Sequence, residues 1–297
     1  MDANRWISLL LAVTLIEMMF AVGLATPPAD LLAAVKRWRW TLRAAMANYL
    51  LVPAAAIALL LAFHAKPMPA AGFLILAVCP GAPYGPPFTA IAKGNVAASV
   101  GWMVILAAAS AIVAPLLLGV LLPWTSGDAR LEIDAARLAG TLLITQLAPL
   151  CAGLGVRLWR PNLASKIAPS AMATSKLLNL AAVGTILAVQ FRMLLDIRWI
   201  AFVGMLVLLF ASLAAGWLLG GPTREMRKTL AITTSLRNAG VGMVIASSSF
   251  PGTPALTAVL AYAIVDVFGS LAIALWWGRR DAEPKLLAAP DGARPAR

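Results

Sequence analysis

Apolar runs of about twenty residues recur along the chain, each closed by a short polar or turn-forming connector. Runs near residues 6–25, 41–63, 69–92, 96–122, 138–158, 170–191, 198–219, 229–250 and 254–277 predict nine spans. A helix of roughly 20 apolar residues crosses about 30 Å of hydrocarbon. The connectors carry turn chemistry: Thr26-Pro27-Pro28, Lys66-Pro67-Met68-Pro69, Lys93-Gly94-Asn95, Trp124-Thr125-Ser126-Gly127 and Gly220-Gly221-Pro222. After the first run, PPADLLAAVKRWRW reads as a short interfacial helix with its tryptophans and cations at the headgroup level.

Two runs are not uniformly apolar. The third holds Pro80, Pro83, Pro86 and Pro87, with Gly81 and Gly85 between them. Proline lacks an amide donor and clashes with the preceding turn, so this cluster predicts an unwound segment rather than a kink. The eighth is interrupted by polarity: Thr233, Thr234, Ser235, Arg237 and Asn238, then Gly240 and Gly242. An arginine placed mid-span costs about 2.5–3.5 kcal/mol on insertion scales, so Arg237 requires a partner or an aqueous cavity. Broken backbone at that depth is tolerated only where it is buried in protein or lines a cavity. Both stretches therefore predict a site.

The positions of the two breaks in the chain suggest a plan. The eighth run is the fourth span of a complete five-span second half, and the third would be the fourth of a first half that lacks its opening helix. The expected fold is an all-α membrane protein, an inverted-repeat transporter whose two broken helices cross near the midplane and form the substrate site.

Composition narrows the class. Of 297 residues, 61% are hydrophobic and 12% charged, and mean hydropathy is +0.87. That describes a polytopic membrane protein with no room for a sizeable soluble domain. The formal charge of +12 would suit nucleic acid, but the cations lie in short loops, where they set orientation. Sixteen fall on one side and six on the other, which predicts an outside amino terminus and a cytoplasmic carboxyl terminus, most simply in a bacterial inner membrane. The first run lacks a basic leader region and a small-residue cleavage site, so it is expected to be retained as a span. Cys79 and Cys151 lie in apolar runs and are expected as free thiols. Residues 281–297, rich in Ala, Pro and charge, predict a disordered cytoplasmic tail.

Enzyme classes lose their ligands on inspection. His64 is the one histidine, no HExxH is present, and no second aspartate joins Asp266 within a span. No cofactor or metal is expected. A channel is the rival among transport proteins, but selectivity filters usually repeat around a symmetry axis, whereas these two breaks are unlike.

With these motifs in view, the chain resembles the bile acid:sodium symporter family. The likeness is carried by Cys79-Pro80-Gly81 followed by Ile91-Ala92-Lys93-Gly94-Asn95-Val96-Ala97, by Thr229-Leu230 through Asn238-Ala239-Gly240, and by Gly269-Ser270-Leu271. It implies one transmembrane domain over 1–280, divided into panel (spans near 6–63 in part and 138–191) and core (spans near 41–122 and 198–277). Substrate is expected in the crevice between them. The resemblance also implies sodium ligands that this chain has replaced. Gly85-Pro86 stands for a Ser-Asn pair, Thr233 and Arg237 for a glutamate and a glutamine, Asn48 for a glutamine, and Asp266 for an asparagine. At an effective dielectric near 20, a fixed cation about 4 Å from a sodium ion repels it by roughly 4 kcal/mol. Sodium coupling of the family's usual kind is therefore not expected.

The reading that follows is a secondary transporter of a small organic anion, with membrane lipid as its surroundings. Arg237 is expected to take the place of a sodium ion, to pair with Asp266, and to contact a substrate carboxylate bidentately. Asn48, Thr233, Thr234, Ser235 and Asn238 are the other polar candidates, while Pro83, Tyr84, Gly85 and Pro86 shape the pocket. Asp266 and Glu17, the two carboxylates within spans, are candidates for proton coupling. The alternatives are a sodium- or proton-coupled symporter of a neutral or sterol-like solute, and a channel.

Overall fold

The computed structural model describes residues 3–126 and 133–280, whose regular elements are all helical. The expected tail at 281–297 and the connector from Gly127 lie outside the described residues. In chain order the helices are α1 (Ala3–Ala25), α2 (Pro28–Lys36), α3 (Trp38–Met46), α4 (Val52–Ala62), α5 (Pro67–Ala77), α6 (Gly85–Ile91) and α7 (Val96–Ser126). They continue as α8 (Ala135–Leu142), α9 (Ala148–Trp159), α10 (Pro161–Leu195), α11 (Trp199–Leu219), α12 (Arg224–Ser235), α13 (Ala239–Ser249) and α14 (Pro254–Arg280). A π-helical turn, Ala47–Leu51, joins α3 to α4, and another, Leu143–Leu147, joins α8 to α9.

Among the described residues, seven continuous helical stretches are long and apolar enough to cross a bilayer: Asn4–Ala25, Trp38–Ala62, Val96–Trp124, Ala135–Trp159, Pro161–Leu195, Trp199–Leu219 and Pro254–Arg280. The third and eighth apolar runs form none of these. Each is split into two short helices, α5 with α6 and α12 with α13. The apolar pieces Pro67–Ala77 and Ala239–Ser249 are each too short to cross alone.

Two boundaries differ from expectation for simple reasons. The polar stretch before residue 170 reads as connector, yet α10 starts at Pro161, where proline suits a first helical turn because its missing donor is not needed. The helix continues past Pro169 to Leu195, with a kink at Gln190 (φ −107°, ψ 15°). In the third run, Pro86 and Pro87 lie outside the unwound segment. They occupy the first turn of α6, so only Pro80 and Pro83 fall in the break. The expected interfacial helix is α2, which ends at Lys36, and Trp38 already opens the next helix.

Helix α1 packs chiefly on α9 and α10, and α14 on α5 and α11. The α1–α9 contact needs glycine on both sides. A Cβ at Gly23 would run into the Leu150 carbonyl, and one at Gly153 into that of Phe20. Small residues allow the close backbone approach that stabilises helix pairs in lipid. Leu74, Ile75 and Leu76 of α5 are fully buried, which seats the first break deep inside the bundle.

Candidate functional site

The two unwound segments meet. Pro80 and Arg237 pair as an isolated antiparallel bridge, and the Asn238 N–H donates to the Cys79 carbonyl at 2.7 Å. Gly81 makes the crossing possible: its φ is +88°, and a Cβ there would lie 2.6 Å from the Ala107 nitrogen of α7. Asn238 serves both segments. Its Oδ1 accepts the Val241 N–H at 3.2 Å, capping α13, while its Nδ2 donates to the Gly81 carbonyl at 3.3 Å. Cys79 is buried, Cys151 is exposed, and both are free thiols.

Arg237 is 1% exposed, and each of its five guanidinium N–H groups meets an oxygen. Nε donates to the Leu76 carbonyl at 3.4 Å, and Nη1 to Asn48 Oδ1 at 2.7 Å and the Thr234 carbonyl at 3.2 Å. Nη2 donates to the Asn48 carbonyl at 3.3 Å and to the Ala77 carbonyl. These acceptors have a common origin. Leu76, Ala77 and Thr234 lie in the last turns of α5 and α12, where carbonyls lack helical donors and the dipole favours a cation. The Asn48 carbonyl is released by the π-helical turn. Val52 N–H bonds to Ala47, and Pro53, next in that register, has no N–H to give.

Two expectations about Arg237 are corrected by this geometry. Its charge does not pair with the Asp266 carboxylate. Asp266 Oδ2 accepts the backbone N–H of Arg237 at 3.1 Å, and Oδ1 has no hydrogen-bond partner among the described residues. Nor does the guanidinium have a free donor for a substrate carboxylate in this conformation, since three helix-end carbonyls and Asn48 use them all.

The remaining polar candidates form a buried network around the crossing. Asn48 Nδ2 donates to the Ala44 carbonyl at 2.9 Å and to Thr234 Oγ1 at 3.2 Å. Ser235 and Ser270 share a hydroxyl bond of 2.8 Å, tying α12 to α14. Thr89 donates to Ser99 at 3.1 Å, and Ser99 contacts Thr233 at 3.2 Å, so hydroxyls link α6, α7 and α12 beside Gly85.

A narrow cleft of about 20 Å³ opens beside this network, lined by Met18, Pro83, Tyr84, Asn179, Asn238 and Gly240 among others, with an edge of Arg237. Among the described residues no carboxylate lines it. Pro83, Tyr84, Asn238 and Arg237 are among the residues that line the cleft. Asn48, Thr233, Thr234, Ser235, Gly85, Pro86 and Asp266 lie behind it. Glu17 faces Ser175 of α10, with its Oε2 buried and unpartnered among the described residues, and does not line the cleft.

The model of the Sodium Bile acid symporter family matches residues 12–217. The chain belongs to this family. It is a membrane transporter, integral and multi-pass, and not an enzyme. Over 283 residues it is 25% identical to a protein of Bacillus subtilis (strain 168) described as an uncharacterized sodium-dependent transporter, YocS; the alignment covers 93% of this chain and 85% of that protein.

Within this family member, four residues at or beside the site escaped sequence reasoning. Asn179 of α10 donates its amide to the Tyr84 hydroxyl at 2.9 Å across the cleft, and its lone polarity in an apolar stretch is the available signal. Met18 and Val267 carry no such signal. Gln146 sits in the second π-helical turn and is fully buried, and its amide donates to Ser110 Oγ at 2.9 Å and to the Ala107 carbonyl, next to Gly81.

Proposed function

We propose that this transporter carries a small organic anion by alternating access, with Arg237 as a resident cation where relatives would hold a sodium ion. The supporting observation is the oxygen set around the guanidinium, five acceptors on α5, α12 and the Asn48 turn. Carbonyls at half-helix C-termini are the kind of ligands that coordinate sodium in transporters with discontinuous helices. A fixed charge filling that set makes sodium coupling at this position unnecessary. The hydroxyl chain Thr89–Ser99–Thr233 supplies no carboxylate for a second ion.

The anionic substrate is supported by the cleft. It contains an arginine edge, the Asn238–Gly240 start of α13 and the Asn179 amide, without a carboxylate among the described residues. The N-terminus of a helix favours negative charge. Arg237 acts here by its field, not by a bidentate contact. Asp266, whose Oδ1 has no hydrogen-bond partner among the described residues, is the proton-coupling candidate at the crossing, and Glu17 the one at α1.

The architecture proposed with this function has nine spans, counting the two broken ones, in an inverted repeat of five that lacks one helix. The panel would comprise α1, α9 and α10, which pack together, with α8 leading into α9, and the core would hold α5–α7 and α11–α14. The amino terminus would face outward, with the protein in a bacterial inner membrane.

A second reading is favoured by one observation: the YocS relative is described as sodium-dependent. Uptake of labelled organic anions into proteoliposomes decides between the two. The resident-cation reading expects the same initial rate with sodium and with potassium outside, and counterflow on preloading. A steep rise with sodium favours the second reading and overturns the first.

A further inference from the structure

A second groove, of about 490 Å³, lies far from the crossing, between the ends of α11 and α14. Its walls include Phe210, Leu213, Trp217, Ile273, Trp276 and Trp277, with Arg224 at the rim. Both wall helices are long and apolar enough to cross the bilayer, so the groove's sides stand at acyl depth and its arginines at the headgroup level. An aromatic belt by itself would scatter such tryptophans around the bundle. Here they are gathered and paired with cations. Trp217 and Trp277 stack with centroids 5.3 Å apart, Arg280 lies 4.2 Å over Trp276, and Arg227 lies 6.0 Å over Trp217. Four arginines lie in the chain segments at this end, Arg224, Arg227, Arg279 and Arg280, with Glu225 beside the first two in sequence and Asp281 directly after the last.

We propose that this groove holds a phospholipid with an anionic headgroup. The phosphodiester would meet Arg224 and Arg280, while an acyl chain lies along Phe210, Leu213 and Ile273. The volume falls within the roughly 300–1,000 Å³ of small-molecule sites, and basic pockets between membrane helices suit anionic lipid heads. Stacking on tryptophan leaves the edge N–H groups of a guanidinium free to turn toward phosphate, so the aromatic platform positions the donors as well as shielding the chain.

The test uses the purified full chain, stripped of lipid in detergent and then offered phosphatidylglycerol, phosphatidylcholine or inorganic phosphate. Native mass spectrometry reads retained lipid, and thermal melting reads stability. Phosphatidylglycerol should be retained on the order of tenfold better than phosphatidylcholine, from about 1 kcal/mol per arginine near an anionic surface. It alone should raise the melting temperature, and Arg224→Gln with Arg280→Gln should abolish the preference. Equal retention of the two lipids, retention unchanged in the double variant, or an equal effect of inorganic phosphate overturns the proposal. So does a stable dimer closed through this face. Should the double variant fold poorly, tryptophan quenching in the wild type decides: brominated chains should quench more on phosphatidylglycerol than on phosphatidylcholine, and equal quenching refutes the site.

Discussion

Asn48 holds Arg237 twice, through its side-chain Oδ1 to Nη1 at 2.7 Å and its backbone carbonyl to Nη2 at 3.3 Å. The side-chain bond is between a buried amide and a buried charge, so its loss leaves a guanidinium donor without water or partner. Asn48→Leu should destabilise the protein by about 1.5–3 kcal/mol. Asn48→Asp, which restores an acceptor and adds charge complementarity, should melt well above the leucine variant. Thermal melting in detergent checks both; equal melting of wild type and Asn48→Leu would remove Asn48 from the cage.

Removing the cation instead of its ligand gives a different signature. Arg237→Ala should leave three helix-end carbonyls and Asn48 facing an empty space of polar oxygens. A small cation binding only the folded protein stabilises it by about 2.7 kcal/mol at a hundredfold excess over its Kd. The variant should therefore gain melting temperature with sodium chloride over choline chloride, while wild type shows no difference. If wild type responds to sodium and the variant does not, the resident-cation idea fails.

The crossing was legible in the chain because prolines and mid-span polar residues contradict an apolar helix so directly. Pro80 with Gly81, and Arg237 with Asn238, mark the two segments that meet. What charge reasoning missed is where Arg237 points. Opposite charges nominate Asp266, but breaking two helices also leaves helix-end carbonyls at Leu76, Ala77 and Thr234 with acceptor capacity to spare, and these bond the guanidinium. Pro53 belongs to the same account: its missing N–H frees the Asn48 carbonyl five residues earlier, an effect visible only once that turn is known to be π-helical. Cleft residues such as Met18 and Asn179 come from helices distant in sequence, so no local pattern could gather them.

Gly81 tests the crossing itself. With φ at +88° and an added Cβ 2.6 Å from the Ala107 nitrogen, alanine meets both backbone strain and a collision with main chain that has little room to move. The strain alone costs on the order of 1–3 kcal/mol. Gly81→Ala should lower the melting temperature and abolish uptake together, whereas Gly184→Ala, where a Cβ meets nothing within 4 Å, should change neither. Normal uptake by Gly81→Ala would show that the crossing tolerates a displacement the geometry does not offer.

Tyr84 and Asn179 bear on conformational change more than on folding. The Asn179 amide donates to the Tyr84 hydroxyl at 2.9 Å, joining α10 to the first broken segment at the edge of the cleft. Alternating access needs such contacts to break, so this bond favours one conformation over the other by its own net worth. A bond of about 0.5–1.5 kcal/mol shifts that equilibrium roughly twofold to tenfold. Tyr84→Phe keeps the ring near Phe88, 6.3 Å between centroids, and removes only the hydroxyl. Its melting temperature should stay near wild type while the apparent KM for uptake changes within that range. Asn179→Ala should change KM in the same direction, and the double variant should add little to either single one, because both remove one bond. Strictly additive effects in this cycle would mean the two residues act on substrate separately.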